Sequence, residues 1–454
     1  MGSKIDSINI CYIGGGSMGW AWKLMSDLAL EASLSGTVYL YDINYKSAQK
    51  NEQIGNRLYA RADCKGKWKY KAVKTIEQSL EKADFVVISI LPGTFDDMDR
   101  DISISEKYGI YHSVGDTTGP AGFTRALRTI PVYAEFAEKI KNICPDAWVI
   151  NYTNPMSLCV AALYKSFPAI KAFGCCHEVL GTKELLADIL FKIHNIKASA
   201  GEIKINVKGI NHFTWVDEAS YQTINLINDY KKFAEDYFTG YQTEKNQSGD
   251  LVFQQAHRVQ FDLFKKYGII AAAGDRHLAE FHPDPYLKNT ASVKQWKFNL
   301  TPISWRRQNL TERKQKSDLL ADGRKEINLE PSGEEGVQQI KALLGLQDII
   351  TNVNLPNNGQ VPGIPAGAIV ETNAVFTRNS IRPVWAGRLP DKLEVMISRQ
   401  VNNLKLVLEA SLEKSFKKYF SAIENDPLAL ISGSDLKLLA QELTGKEKYF
   451  HNNK

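Results

Sequence analysis

The sequence has no apolar run approaching the roughly 20 residues that a transmembrane helix needs. It opens without the apolar core of a secretory signal peptide. Cysteine is also scarce, because six cysteines among 454 residues do not make a disulfide framework. These absences predict a protein without a membrane partner in a reducing, cytoplasmic setting.

A large excess of one charge is missing as well. Fifty-six Lys and Arg against 51 Asp and Glu leave a formal net charge of +5, spread over the whole chain. This balance indicates no nucleic-acid partner. Hydrophobic residues make up 44% of the chain, as in ordinary globular proteins. Because a single core stops growing at about 250–300 residues, we expect two or more packed domains.

The first 198 residues alternate apolar, strand-like runs with helical patterns. The strand-like runs cover residues 8–13, 37–42, 85–90 and 148–151, and a helical pattern covers residues 17–34. This alternation predicts an α/β fold with a Rossmann-like, doubly wound parallel sheet, similar to lactate and malate dehydrogenases. In such sheets ligands bind at the carboxyl ends of the strands.

The pattern changes after residue 198. Residues 203–216 and 367–376 are strand-like, whereas residues 251–267, 336–344 and 391–419 have helical patterns. Residues 306–327 are polar and predict a surface helix or a mobile lid. We therefore expect an NAD-binding domain over residues 1–198 and an α+β domain for catalysis and oligomerisation over residues 199–454.

A glycine-rich turn follows the first predicted strand and precedes the first predicted helix. Its residues are Gly14, Gly15, Gly16, Ser17, Met18 and Gly19. Glycines at these positions permit a tight turn and a close approach of the backbone to a pyrophosphate. Asp42, at the end of the next strand, can accept from both ribose hydroxyls and would repel a 2′-phosphate. The pattern predicts NAD as the cofactor.

A second group of residues has the chemistry of a metal site. Cys176, His177, Asn211 and His212 lie on segments that would border the cleft at the strand ends. A thiolate and an imidazole with open positions for substrate oxygens suit a catalytic divalent cation, and the residue types alone name zinc first. The alternative is that these are buried structural side chains.

The chain resembles glycoside hydrolase family 4, the NAD- and manganese-dependent glycosidases, over nearly its whole length. The residues that carry the resemblance lie at 13–17, 115–116, 119, 125–128, 151–156, 176–179 (Cys-His-Glu-Val), 209–213 (Gly-Ile-Asn-His-Phe) and 274–277 (Gly-Asp-Arg-His). This family is an exception to glycosidase chemistry with two carboxylates. The surrounding sequence looks most like the α-galacturonidase branch, whose substrates are oligogalacturonides derived from pectin.

The resemblance implies that Cys176 and His212 hold Mn²⁺ or another divalent cation. It also implies an oxidation–elimination–addition–reduction cycle without net redox change. In that cycle we expect Asp275 to be the base at C2. His177 is the expected acid for the departing oxygen, or else a substrate-binding residue.

The remaining predicted site residues would bind the sugar. Asn154 and Asn211 are expected to bind hydroxyls or orient the metal, and Asp116 to line the site. Arg276 would meet a substrate carboxylate or fix Asp275, unless the two form a structural ion pair. For a uronate the sequence leaves Arg276, Arg306 and Arg307 open as the cation.

The alternatives are another glycosidase of the same family, a dehydrogenase and a binding protein. An α-glucosidase or α-galactosidase of the same family would keep the mechanism, whereas a hydroxy-acid dehydrogenase would accumulate NADH. An NAD-sensing protein would show no turnover. The family resemblance also implies a homodimer or homotetramer.

Overall fold

The computed structural model describes residues 4–243, 250–445 and 448–450. The strands, β1 to β13 in chain order, are Ile5–Ile13, Leu34–Tyr41, Lys67–Val73, Phe85–Ile88, Trp148–Asn151, Lys171–Gly174, Lys204–Ile210, Phe213–Tyr221, Ile224–Asn225, Ile270–Ala271, Ile349–Pro356, Ile369–Thr377 and Ser380–Pro383.

The α-helices of the described ranges, α1 to α17 in chain order, are Trp20–Leu30, Tyr45–Ala60, Ile76–Leu80, Phe95–Lys107, Gly119–Ile143, Met156–Ser166, Glu178–His194, Leu226–Asp236, Arg258–Tyr267, Asp275–Phe281, Pro283–Tyr286, Thr290–Gln295, Ile303–Ala321, Gly336–Leu343, Asp391–Leu412, Phe416–Glu424 and Gly433–Leu443. Short 3₁₀ turns lie at Ala200–Glu202, Leu251–Phe253 and Lys448–Phe450. No helix in these ranges is both long and apolar enough to cross a membrane.

The main sheet is built on a parallel dinucleotide-binding core. Its strand order is β13-β12-β11-β6-β5-β4-β1-β2-β3, and β1 to β6 pair in parallel. The order 3-2-1-4-5-6 within this core is that of the Rossmann fold. The predicted fold class is therefore confirmed. The strand order reverses between β1 and β4, so the cleft lies over the carboxyl ends of these two strands.

The strands of the core are buried on both faces. Along β1, Cys11 and Ile13 pack into one apolar cluster with α5 and α6, whereas Ile10 and Tyr12 pack into a second cluster with α1 and α2. Alternate residues of a strand point to opposite faces. Helices on both sides of the sheet therefore fix the cleft between them.

The second half of the chain extends this sheet. Strand β11 pairs antiparallel with β6, and β12 and β13 follow antiparallel. A smaller sheet has the order β10-β8-β7, with β9 paired to β8. The main sheet is thus continuous across residue 198. The division into domains at 1–198 and 199–454 stays a prediction.

Three predicted helices have clearly different bounds in the structure. The pattern over residues 17–34 gives a helix only over Trp20–Leu30, and Leu34 already begins β2. The pattern over residues 251–267 gives a helix only from Arg258, because His257 has a left-handed backbone with φ of 54°. The pattern over residues 391–419 is divided between α15 and α16, and Lys414 between them has φ of 56°. A left-handed residue cannot continue a right-handed helix. Residues 306–321 of the predicted surface helix or lid are helical and lie in α13.

Gly36 on β2 supplies a test of the sheet packing. A Cβ atom there would lie 1.9 Å from the carbonyl oxygen of Ile8 on β1. Gly36→Ala must therefore push the adjacent strands β1 and β2 apart, and we expect it to lower the free energy of unfolding by about 1–3 kcal/mol. Urea denaturation of the wild type and the variant measures the difference.

Gly181→Ala is the matched control. Gly181 is an exposed residue of α7, and a Cβ atom there meets nothing within 4 Å. Alanine favours helix over glycine by about 1 kcal/mol, so this variant should be as stable as the wild type or more stable. A Gly36→Ala protein with wild-type stability would contradict the packing described for β1 and β2.

Candidate active site

The glycine turn joins β1 to α1 at the cleft edge of the sheet. Gly14 has φ of 94° and Gly19 has φ of 151°, conformations that glycine adopts without strain. Helix α1 starts at Trp20 with no side-chain cap and no acidic residue in its first turn. Its N-terminal N–H groups and its positive dipole end are therefore free for a phosphate.

Asp42 lies beside this turn, directly after β2. Its Oδ2 accepts a hydrogen bond from the Gly16 N–H at 2.9 Å, and its Oδ1 accepts one from the Asn44 N–H at 2.8 Å. A Cβ atom on Gly16 would lie 2.9 Å from Asp42 Oδ2, so only glycine leaves this approach open. Ile43 is 96% exposed and offers an apolar face for a planar base. These residues fit a dinucleotide with an unmodified ribose.

A basic side chain from the second half of the chain reaches the same turn. Arg313 on α13 donates to the carbonyl oxygen of Met18 at 3.3 Å. A Cβ atom on Gly19 would lie 2.7 Å from Arg313 Nη1. Helix α13 therefore lies against the glycine turn.

Three side chains within the described ranges bring metal-ligand atoms together. Ligand atoms of Asp116, His212 and His277 all lie within 4.8 Å of one another. Asp116 precedes α5, His212 lies in the turn between β7 and β8, and His277 lies in α10. One carboxylate oxygen and two imidazole nitrogens suit a divalent cation such as Mn²⁺ or Zn²⁺. We call these residues the Asp116 group.

Thr117 orients His212 within this group. The Thr117 hydroxyl donates to Asp116 Oδ1 at 2.8 Å and lies 2.8 Å from His212 Nδ1. Since that hydroxyl has one hydrogen, His212 Nδ1 is the donor to it, and Nε2 keeps its lone pair. Burial lowers the pKa of His212 to about 3, so the imidazole is neutral. Such outer hydrogen bonds fix a metal-binding imidazole.

The backbone of His212 is also constrained, with φ of 64°. A non-glycine residue in this region costs free energy and persists where the surrounding structure enforces it. The two-residue turn Asn211-His212 places His212 in the Asp116 group and Asn211 against Glu371 and Cys176. The prediction of one strand-like run over residues 203–216 is corrected here: these residues form a hairpin of β7 and β8, which pair antiparallel.

The charges around Asp116 keep it ionised. Burial would raise its pKa, but the Arg125 guanidinium, His277 and His212 outweigh burial and hold the pKa of Asp116 well below its usual range. Glu178 lies behind His277, with Oε1 3.5 Å from His277 Nε2, and its Oε2 accepts from the Gly274 N–H at 2.8 Å. Both carboxylates are available as anions.

Cys176 lies outside the Asp116 group, two residues after β6. Its thiol interacts with the side chain of Asn211, the residue before His212. Burial and the nearby carboxylates of Glu371 and Glu178 raise the pKa of the Cys176 thiol well above its usual value. A thiol in such surroundings becomes a thiolate when a cation binds beside it. With the Asp116 group it offers S, N and O donors, which fit a divalent cation.

Several buried polar atoms near this group have no partner in the described structure. They are Asn154 Oδ1, Asn211 Oδ1, Arg276 Nε, His277 Nδ1 and Arg306 Nε. Asn154 is tied to Asp116 through Arg125, whose Nε donates to the Asn154 carbonyl oxygen at 3.2 Å. Unpaired buried polar atoms are rare in proteins, and they are typical of sites that bind a ligand, an ion or water. They fit a ligand rich in hydroxyl groups.

The two predicted proton-transfer residues lie in different surroundings. Asp275 is fully buried; its Oδ1 accepts from the Gln260 N–H at 3.1 Å, and its Oδ2 has no partner. Burial raises the pKa of Asp275 to about 7. His177 is exposed, with its ring centroid 6.0 Å from that of Trp20 and Nε2 3.8 Å from Glu178 Oε1. It lies between the cofactor helix and the Asp116 group.

The sequence analysis did not assign a role to several residues of this site, namely Thr117, Arg125, Glu178, His277 and Glu371. His277 and Glu178 lie within the motifs at 274–277 and 176–179. These motifs could therefore have indicated both residues as part of the site. Glu371 on β12 accepts from Asn211 Nδ2 at 3.2 Å and from Asn352 Nδ2 at 2.8 Å. No local pattern marked Glu371, because it is brought here by the strand pairing of the second half.

The chain matches the family 4 glycosyl hydrolase model over residues 9–192 and the C-terminal domain model of that family over residues 207–429. It therefore belongs to family 4 of the glycosyl hydrolases. It is 56% identical to an α-galacturonidase from Thermoanaerobacter italicus over 97% of each chain. It is 50% identical to an α-galacturonidase from Bacillus subtilis over 97% of this chain and 98% of that one.

More distant relatives and solved structures show the same fold. An α-galactosidase from Bacillus subtilis is 28% identical over 92% of each chain. The solved structure of lplD from Bacillus subtilis matches with a TM-score of 0.93 at 49% identity, covering 97% of this chain and 100% of that one. A 6-phospho-α-glucosidase from gut microorganisms, solved with NAD and Mn²⁺, matches with a TM-score of 0.82 at 18% identity over 98% and 99% of the chains.

Asp42 supplies a test of the dinucleotide site. Asp42→Asn keeps an oxygen that can accept from Gly16 but removes the charge that would bind a ribose diol. We expect the dissociation constant for NAD⁺ to rise roughly 10- to 150-fold, the effect of a hydrogen bond to a charged group. The preference for NAD⁺ over NADP⁺ should fall at the same time. Titration calorimetry with each dinucleotide measures both effects.

Asp146→Asn is the control for this substitution, because the Asp146 side chain is 97% exposed and pairs only with Lys171 at the surface. It should bind NAD⁺ as the wild type does. If Asp42→Asn also binds NAD⁺ with unchanged affinity, the ribose is not held by Asp42.

Proposed function

We propose that this chain is an α-galacturonidase that hydrolyses α-galacturonides such as pectin-derived oligogalacturonides. The proposal is supported by 50–56% identity over nearly the whole chain to proteins of that description. The observation that supports the chemistry is the Asp116 group, together with the Cys176 thiol on the residue before His212 and the glycine turn at the carboxyl end of β1. A dinucleotide and a divalent cation held there are the components of a glycosidase that works by transient oxidation.

The cofactors of the proposed reaction are NAD and Mn²⁺ or another divalent cation. The turn from Gly14 to Gly19 and Asp42 would hold NAD, and Cys176 and His212 would hold the cation beside Asp116 and His277. When bound, the nicotinamide supplies reversible hydride transfer and the cation supplies electron withdrawal at a sugar oxygen, which makes the neighbouring C–H acidic.

The protein's own residues then move protons and orient the sugar. Asp275 would take the proton from C2 through Oδ2, and its pKa, raised to about 7 by burial, suits a base near neutral pH. The Gln260 N–H fixes the other oxygen of the same carboxylate. His177 would give a proton to the departing oxygen from its exposed position between Glu178 and Glu334.

The sugar hydroxyls would be bound by side chains that lack partners. The unpaired amide oxygens of Asn154 and Asn211 can accept from hydroxyl groups. Arg276 is held by the Ser113 carbonyl oxygen at 3.2 Å and by the Thr301 hydroxyl, so its free Nε–H is a fixed donor. Asp116 would line the site as an anion.

Assembly and location are further parts of the proposal. A homodimer or homotetramer is supported by apolar side chains exposed in the second half of the chain, such as Trp385 at 70%, Val395 at 70% and Leu430 at 63%. A cytoplasmic location is supported by the cysteines, since all six are free thiols.

The first experiment measures galacturonate release from digalacturonic acid by the purified protein with NAD⁺, Mn²⁺ and a thiol reductant. We expect release that stops when either cofactor is omitted, without net formation of NADH. Water adds across the cleaved bond, and in D₂O one deuterium should appear at C2 of the product. Mass spectrometry measures galacturonate release and deuterium incorporation, and absorbance at the NADH band measures NADH formation.

Parallel assays with α-galactosides and α-glucosides separate the alternatives. Cleavage of an uncharged glycoside alone would keep the mechanism and reject the galacturonide. Steady accumulation of NADH with a hydroxy acid, without cleavage of any glycoside, would assign the chain to the dehydrogenases instead.

Asp275→Asn tests the proposed base. The amide oxygen can still accept from the Gln260 N–H, so the thermal unfolding temperature should change little. Loss of a general base lowers kcat by about 10²–10⁴-fold, and deuterium incorporation at C2 should fall in parallel. A variant with wild-type kcat and deuterium incorporation would show that Asp275 only caps α9.

A further inference from the structure

Three guanidinium groups lie around Asp116, and two of them have protein partners. Arg125 donates to the Asn154 carbonyl oxygen at 3.2 Å, and its charge is the strongest of those that lower the pKa of Asp116. Arg276 donates to the Ser113 carbonyl oxygen and the Thr301 hydroxyl. These contacts fix both side chains before any ligand arrives.

Arg306 is the third of these groups, and it differs from the other two. It lies in the first turns of α13, half-buried, and its Nε is buried without a partner. Within the described ranges its side chain makes no hydrogen bond and no ion pair. Burial and the charges of Arg125 and Arg276 lower its pKa, whereas the charges of Asp116 and Glu280 raise it. The net pKa is about 10, so the side chain is still a cation at neutral pH. A partly buried cation without a partner is costly.

The position of Arg306 is fixed by the fold. The Thr301 N–H just before α13 donates to the Ser113 carbonyl oxygen at 3.1 Å. This bond ties the start of the helix to the loop that carries Asp116. Arg306 therefore stands at the wall of the site and not on a free surface.

Arg307, the next residue, faces elsewhere. Its Nη2 donates to Asp96 Oδ1 at 2.6 Å and to Asp99 Oδ2 at 2.9 Å, in an exposed ion pair. Of the three arginines that the sequence left open as the uronate cation, Arg307 is thus paired with two carboxylates. Arg276 is held through Nη2 by Ser113 and Thr301, although its Nε–H stays free. Among these three, Arg306 is the one whose whole guanidinium lacks a partner in the described part of the chain.

We propose that Arg306 determines specificity by binding the C6 carboxylate of the galacturonide, an inference that rests on the proposed function. The planar fork of a guanidinium matches the two oxygens of a carboxylate. Asp116 does not fill this role, because Arg125 is its main counter-charge. An uncharged C6 group would leave Arg306 without a partner, so a galactoside binds less well.

The test compares two substrates that differ only at C6, 4-nitrophenyl α-galacturonide and 4-nitrophenyl α-galactoside. The variants are Arg306→Gln, Arg306→Lys and the control Arg307→Gln. We expect Arg306→Gln to lower kcat/KM for the galacturonide roughly 10- to 150-fold, with kcat/KM for the galactoside within about threefold of the wild type. Arg306→Lys should recover part of the selectivity, and Arg307→Gln should change neither substrate.

Calorimetry adds a readout that does not need turnover. Binding of free galacturonate to the NAD⁺-loaded protein should weaken in Arg306→Gln by a similar factor, with an unchanged unfolding temperature. If Arg306→Gln lowers kcat/KM equally for both substrates, or for neither, the role of Arg306 is overturned. If the wild type itself prefers the galactoside, the proposed substrate fails, and this outcome is distinct from failure of Arg306 alone.

Discussion

The site depends on one chain of hydrogen bonds that joins the two halves of the sequence. Asp116 precedes α5 in the first half, and His212 lies in a hairpin turn of the second half; the Thr117 hydroxyl bonds both at 2.8 Å. A single hydroxyl hydrogen decides which imidazole nitrogen keeps its lone pair. The tautomer of a candidate metal ligand is thus set by a residue that need not touch the metal.

A buried carboxylate supports this connection from behind. Glu280 on α10 accepts from the backbone N–H groups of Val114 and Gly115, both at 2.8 Å. Helix α10 also carries His277. The same helix therefore fixes both the loop that carries Asp116 and one of the two imidazoles of the group. The spacing of the Asp116 group therefore follows from packing that exists before any ligand binds.

The sequence predicted the parts of the molecule that follow from local pattern. The alternation over residues 1–198 and the glycine turn gave the parallel sheet, its strand-end cleft and the place of Asp42. It could not give the three strands that extend the sheet, because pairing between β6 and β11 joins residues far apart in the chain. Glu371 was missed for the same reason, since its contact with Asn211 exists only in the folded protein.

Helix bounds were wrong where a single residue takes a left-handed conformation, as at His257 and Lys414. Such conformations depend on tertiary contacts more than on residue type. The choice among arginines was likewise outside the reach of sequence. Arg306 and Arg307 are adjacent and chemically identical, and only their surroundings separate an ion-paired surface residue from one that faces the site.

Helix α13 has one further consequence. Arg306 beside Asp116 and Arg313 at the carbonyl oxygen of Met18 are seven residues apart, which is two helical turns or about 10 Å along one face. The helix therefore sets the distance between the region around Asp116 and the glycine turn. Any tilt or slide of this one element displaces both guanidinium groups together, so the two ends of the cleft cannot loosen independently.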